Sequence, residues 1–378
     1  MGKQKRRGHG EGSIYRRQSD GRYVGSFIVE ATGKRKYLYG ETQKEVLEKL
    51  RKAQREQEQG MLATGPQQKL KDYLEHWLED VDKPAIREST YIKHHHLLKK
   101  HILPALGQIQ VQKLTAQQVQ AFYAEKLKAG LSPGSVISMH GVLHKALKNA
   151  VRWKLVAQNV CDVVSPPRRV RHEAVPLSQE QAHRLLEAAK GHHLEALLTM
   201  ALVTGMRQGE LFALRWQDID VEGASVHVRR TVLPIPGRGY VEHEPKTAKS
   251  RRKIRLPQFV MEALKKQRLH IEAMHLKAGN TWRESDLVFP SYCGGFIDKG
   301  NFHAVFQKLL KVAGLPHKRF HDLRHSTATI LLTMGVHPKI VQEILGHSTI
   351  SMTMDTYSHL LPSMQDDATH KWDDLFKG

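Results

Sequence analysis

Arg207, Lys246, His321, Arg324, His347 and Tyr357 are spread over the second half of the chain, yet their side chains could share one reaction. Arg207 stands in the run Thr204-Gly205-Met206-Arg207-Gln208-Gly209-Glu210-Leu211. There Thr204-Gly205 breaks one helix and Arg207 starts the next, three residues from Glu210 on the same face. In isolation that spacing describes a plain salt pair. Lys246 belongs to a hairpin-like stretch, 245–254, and a lysine on a turn can reach a phosphate or donate a proton. His321-Asp322-Leu323-Arg324-His325 sets His321 and Arg324 three apart, so on a helix they project together. An imidazole beside a guanidinium suits a phosphate better than a metal ion, which the cation would repel. In Leu345-Gly346-His347-Ser348 the glycine ends a helix and leaves His347 in the following turn. Tyr357, within Asp355-Thr356-Tyr357-Ser358-His359, comes ten residues later.

Together these groups fit phosphoryl transfer by a protein nucleophile, with no metal and no cofactor. A phenol can attack phosphorus and keep the bond energy as a phosphotyrosine ester. Two guanidinium forks would neutralise the non-bridging oxygens in the transition state. Lysine could protonate the departing 5′ oxygen, and histidine could take the phenolic proton. Composition supplies the substrate. Among 378 residues there are 59 Lys or Arg against 38 Asp or Glu, a formal charge of +21 with the 24 histidines neutral. That surplus points to nucleic acid.

Composition also excludes other classes. With 40% hydrophobic residues the chain is an ordinary folded protein. No apolar run approaches the ~20 residues that span a bilayer, and the best, at 194–203, is interrupted by Glu195 and Thr199. No membrane partner is expected. The basic start MGKQKRRGHG lacks the apolar stretch of a secretory signal, and Cys161 and Cys293 make no disulfide framework, so a cytoplasmic location is expected. Zinc is disfavoured because His94, His95 and His96 are consecutive and on a helix point in different directions.

The elements that would position the reactive groups fall into three predicted domains. Residues 1–60 form a module of short strands at 13–17, 23–30 and 34–39, separated by Asp20-Gly21 and Thr32-Gly33 as tight hairpin turns. A capping box at Thr42 and Glu45 then opens a polar helix to about residue 57. Arg16, Arg17, Arg22, Lys34, Arg35 and Lys36, interleaved with Tyr23, Phe27, Tyr37 and Tyr39, are candidate DNA-binding residues. Solvated strand faces would explain the same charges. Residues 66–165 read as all-helical: Leu70, Tyr73, Leu74, Trp77, Leu78 and Val81 keep helical spacing. Further helix starts are predicted at Thr115 and at Ser132-Pro133. Residues 172–378 read as mixed α+β, opening with a capping box at Ser178 and Gln181, with strands near 225–233 and 251–256.

The order R…K…H-x-x-R…H…Y, with the words TGMRQGEL, KTAKSRR, HDLRHS, LGHS and MDTYSH, closely resembles the tyrosine recombinases, specifically phage-type integrases. The resemblance spans essentially the whole chain. It implies an arm-binding sheet domain, a helical core-binding domain and a catalytic domain with a C-terminal tail that packs on a neighbouring subunit. It implies Arg207, Lys246, His321, Arg324 and His347 as the active-site set, with Tyr357 as nucleophile. Lys249 and Lys253 lie close enough to Lys246 to compete for the lysine role, and Ile254 is followed by Arg255-Leu256-Pro257 where the family often has I-P-L, which leaves the strand register open. It further implies a homotetramer that synapses core- and arm-type DNA sites in a bacterial host cytoplasm. Strand exchange would run through 3′-phosphotyrosyl bonds and a four-way junction, with neither ATP nor metal, and a directionality factor is a possible further partner. The alternatives are a type IB topoisomerase, which reseals one duplex, and a DNA-binding regulator that has lost catalysis. The basic N-terminal module argues against the first, and six chemically competent positions argue against the second.

Overall fold

The computed structural model describes residues 13–30, 33–58, 66–169, 175–244, 251–347, 349–350 and 376. The chain divides into two compact units, Met1–Arg171 and His172–Gly378.

The first unit opens with an antiparallel sheet of β1 (Ser13–Arg16), β2 (Tyr23–Ile28) and β3 (Arg35–Gly40), followed by α1 (Gln43–Glu58). Register fixes the faces, because cross-strand partners share one side. Phe27 and Val29 pack with Leu50 and Ala53 of α1, and Ile14 and Leu38 lean on them. The opposite side carries Tyr15, Tyr37 and Tyr39, each about half exposed. Both hairpins are wider than the tight turns the glycines suggest. Arg17 and Arg22 close the first by a 2.8 Å backbone bond, and Val29 and Lys34 close the second at 2.9 Å. Four residues therefore lie between each closing pair. At the start of α1, Thr42 accepts from the Glu45 amide at 3.2 Å, and the Glu45 carboxylate accepts from the backbone amides of both Glu41 and Thr42.

A helical set with its own core follows: α2 (Leu70–Trp77), α3 (Lys83–Ala85), α4 (Glu88–Leu97), α5 (Leu103–Leu106), α6 (Ala116–Lys128) and α7 (Pro133–Arg152). Wide π turns at Leu78–Asp82 and Leu98–Ile102 join α2 to α3 and α4 to α5. Each stands just ahead of a proline, Pro84 or Pro104, which cannot donate to the carbonyl four residues back. The extra residue rotates the helix, so Val81 is only half-buried while Asp82 is fully buried. Asp82 meets His94 Nδ1 at 2.6 Å and accepts from Lys145 Nζ at 2.5 Å. Capping boxes close at Thr115 with Gln118, and Ser132 caps α7 with Pro133 in its first turn.

The second unit is mixed. Helices α8 (Gln179–Ala188), α9 (Glu195–Thr204) and α10 (Gln208–Phe212) precede a sheet of β4 (Ile219–Asp220), β5 (Ser225–Val228) and β8 (Arg252–Arg255). A separate hairpin pairs β6 (Thr231–Ile235) with β7 (Gly239–His243). Then come α11 (Gln258–Ala278), α12 (Lys299–Val312), α13 (Asp322–Thr333) and α14 (Pro338–Leu345). The apolar run at 194–203 is α9, buried on all sides as the axis of the core, which is why it lacks a polar face. Among the described residues no helix is long and apolar enough to cross a membrane.

Candidate active site

Helix α9 ends at Gly205, which turns the chain in a left-handed conformation (φ +58°) that a side chain would disfavour. Room is also short, since a Cβ there would lie 2.3 Å from Leu345 Cδ2 and 3.4 Å from Thr327. Two residues on, Arg207 is extended and stands at the N-cap of α10 rather than inside it. Its amide donates to Glu210 Oε2 at 2.9 Å and its guanidinium to Glu210 Oε1 at 2.8 Å. A weaker bond of 3.4 Å runs from Arg207 Nη2 to the Gly346 carbonyl. Glu210 is buried while the Arg207 side chain remains 39% exposed, so the guanidinium is anchored from beneath and faces outward.

Arg324 comes from α13 and is almost fully buried. Its Nη1 donates 2.7 Å to the Gly205 carbonyl, the end of α9. His321 precedes α13, one turn before Arg324, and its ring meets His325 edge-on at 5.5 Å. His347 follows α14, whose last turn closes at Gly346, again left-handed (φ +67°). Gln342 grips His347 at both ends of its backbone, accepting from its amide at 3.1 Å and donating to its carbonyl at 3.2 Å. The elements carrying Arg207, Arg324 and His347 thus meet at Gly205.

The electrostatics follow from this convergence. Burial pushes His321 down to about 4, and Arg324, His325 and Arg207 add to the effect. His347 is likewise held at about 4, by burial first and then by Arg324, Arg207, His325 and Arg252. Burial alone would raise the Glu210 carboxyl, but Arg252 and then Arg207 pull it below its ordinary value. The cluster therefore combines the Arg207 and Arg324 guanidinium groups, a buried carboxylate that Arg252 holds from behind, and neutral imidazoles able to accept a proton. Such a set binds a phosphodiester and stabilises charge growing on its oxygens.

Of the predicted catalytic residues, the structure brings Arg207, His321, Arg324 and His347 together. Lys246 and Tyr357 lie outside the described residues, as does Lys249. Lys253 meets Asp220 at 3.3 Å and points away from Arg252, its neighbour on β8. Sequence reasoning missed the structural parts played by Arg252 and Gln342. Alternation along β8 was the available signal for Arg252, since buried Ile254 lies two residues on.

The predicted DNA-binding patch is divided. Arg35 and Lys36 are neighbours on β3 and so point to opposite faces. Arg16 bonds the Gly21 carbonyl at 3.0 Å and lies 5.9 Å over the Tyr23 ring. Arg17 pairs with Asp20 at 3.5 Å, while Arg22 and Lys34 are exposed at the hairpin ends. Phe27 faces α1 and is buried, which corrects the expectation that it joins Tyr37 and Tyr39 on an open surface. Tyr15 takes that place.

A buried guanidinium–imidazole cluster on a helix-rich α+β unit suits the transfer of a phosphodiester. The family described as "Phage integrase family" matches residues 176–364, and "Phage integrase, N-terminal SAM-like domain" matches residues 69–127. The integrase of Streptomyces ambofaciens is 31% identical, covering 99% of this chain and 98% of its own. A tyrosine recombinase XerC-like protein of Caldanaerobacter subterraneus is 31% identical over 90% of this chain and 92% of its own. Among solved structures, the Tn1549 transposon integrase with transposon right-end DNA gives a TM-score of 0.68 at 21% identity, covering 82% of this chain and all of that one. A lambda integrase dimer on a core site gives 0.56 at 18%, covering 91% and 93%. The chain belongs to the phage integrase family of tyrosine recombinases.

Proposed function

We propose that this recombinase integrates, and excises, a phage or other mobile element by cutting and rejoining DNA at specific sites through Tyr357. The observation that carries the assignment of roles is the meeting at Gly205 of the elements that bear Arg207, Arg324 and His347, with the His321 ring under the influence of both guanidinium groups. In this reading the scissile phosphate sits against Arg207 and Arg324, which neutralise its non-bridging oxygens. The Tyr357 phenol attacks phosphorus, and a neutral imidazole, His321 or His347, takes its proton. The bond to the 5′ oxygen breaks while Lys246 supplies a proton. A 3′-phosphotyrosyl ester and a 5′-hydroxyl result, and the hydroxyl of a partner strand reverses the step. Lambda integrase has been solved as a dimer on a core site and as a tetramer on a Holliday junction. By analogy this chain works as a tetramer, residues 66–165 and 172–378 holding core DNA and residues 1–60 holding arm DNA. The +21 charge favours such extended DNA contact, and a host cytoplasm is where that DNA lies.

The test is covalent capture. Purified protein is incubated, with EDTA present, with fragmented DNA of its source genome and mobile element, and adducts surviving denaturation are sequenced. Adducts at one discrete site, absent from Tyr357→Phe, are expected. Adducts scattered over many sequences would favour a relaxing topoisomerase, and adducts retained by Tyr357→Phe would remove the nucleophile.

A further inference from the structure

Arg252 opens β8, opposite Val228 of β5, and only 6% of its side chain is exposed. Burying a guanidinium is costly unless its donors are engaged. Its Nη2 donates to Glu210 Oε2 at 3.0 Å, the carboxylate whose other oxygen holds the Arg207 guanidinium. Its Nε donates to the Ile344 carbonyl at 2.6 Å. That carbonyl belongs to the last turn of α14, where the helix supplies no donor of its own and a cation is favoured by the dipole. The stem lies against Gly346, where a Cβ would stand 3.1 Å from both Arg252 Cδ and Nη1. A glycine at this helix end therefore serves the arginine as well as the turn.

We propose that Arg252 is a positioning residue of the strand-transfer centre: it ties the carboxylate that steadies Arg207 to the helix end that presents His347. This rests on reading Arg207 and His347 as phosphate-handling groups. One planar fork spans two elements that arrive from chain segments about 130 residues apart, Glu210 of α10 and Ile344 of α14. Among the described residues its fork is taken up by Glu210 and Ile344, and its charge also reaches the His347 ring, so it acts through the groups it holds. A lysine would keep the charge, yet its single ammonium lacks the fork that reaches both acceptors at once.

The experiment uses the full chain and a nicked duplex carrying the core site recovered by adduct sequencing. It reads the single-turnover rate of covalent adduct formation, the affinity for the same duplex, and the melting transition. Arg252→Gln is expected to lose about a hundredfold in rate, the scale of a misplaced reacting group, with affinity held within about threefold. Combining it with Glu210→Gln should cause little further loss, because both changes cut the same tie. A rate within about threefold of the parent, or losses that multiply in the double variant, would overturn the proposal. Should Arg252→Gln lack a melting transition, Arg252→Lys decides: a folded protein slowed about tenfold or more supports the tie, and full activity refutes it. Failure of the parent protein itself to form adducts would instead defeat the strand-transfer reading, and this proposal with it.

Discussion

In the DNA-free protein His321 and His347 carry neutral rings near neutral pH, since both are held at about 4 by burial and neighbouring guanidinium groups. In the unfolded chain the same imidazoles take up protons near about 6.5. Between about 6.5 and 4 the unfolded state therefore binds more protons, and stability falls as pH is lowered through that window. His193, also pushed to about 4 by burial, adds to the same slope. Calorimetry of the full chain between pH 7.5 and 4.5 should show a melting temperature that drops with acid. His347→Gln should flatten the dependence, and a parallel dependence would mean that His347 is not held low. This charge state was not legible in sequence. The words around His321 and His347 identify the residues, but burial and the nearness of Arg207, Arg252 and Arg324 arise only from folding.

At the scale of elements, Gly205 sets the angle at which α9 hands over to α10. Gly205→Ala would place a side chain in a left-handed conformation, costing about 1–2 kcal/mol, and 2.3 Å from Leu345 Cδ2. Overpacking of that kind adds about 1–3 kcal/mol. Urea unfolding should report a loss of about 2–5 kcal/mol; a variant within about 0.5 kcal/mol of the parent would show that α14 yields freely. Local devices were the readable ones. The capping boxes at Thr115 with Gln118 and Ser178 with Gln181 are complete within four residues and form as read. The π turns ahead of Pro84 and Pro104 were not readable, because a proline predicts a kink without saying how the helix absorbs it. That is why helical spacing carries the apolar stripe to Val81 and gives no sign of the buried Asp82.

For the whole molecule, the core formed by Phe27, Val29, Leu50 and Ala53 draws only on the sheet module, and the helical set keeps its own. Removing residues 1–60 should thus leave core-site adduct formation measurable while integration between arm-bearing substrates is lost. Complete loss of core cleavage would count against this division. Sequence showed that the charge is large but not how it is shared, since Arg35 and Lys36 leave β3 in opposite directions. The guanidinium-rich centre of the second unit has a consequence of its own. Arg207, Arg252 and Arg324 all act on His347, and two of them share the Glu210 carboxylate, so a phosphate oxyanion placed among them would relieve their mutual repulsion. By linkage, whatever fills the centre also steadies the fold around it. In the proposed role the scissile phosphate serves these guanidinium groups as a counter-ion, so phosphate or sulfate in the buffer should compete with DNA for the same place.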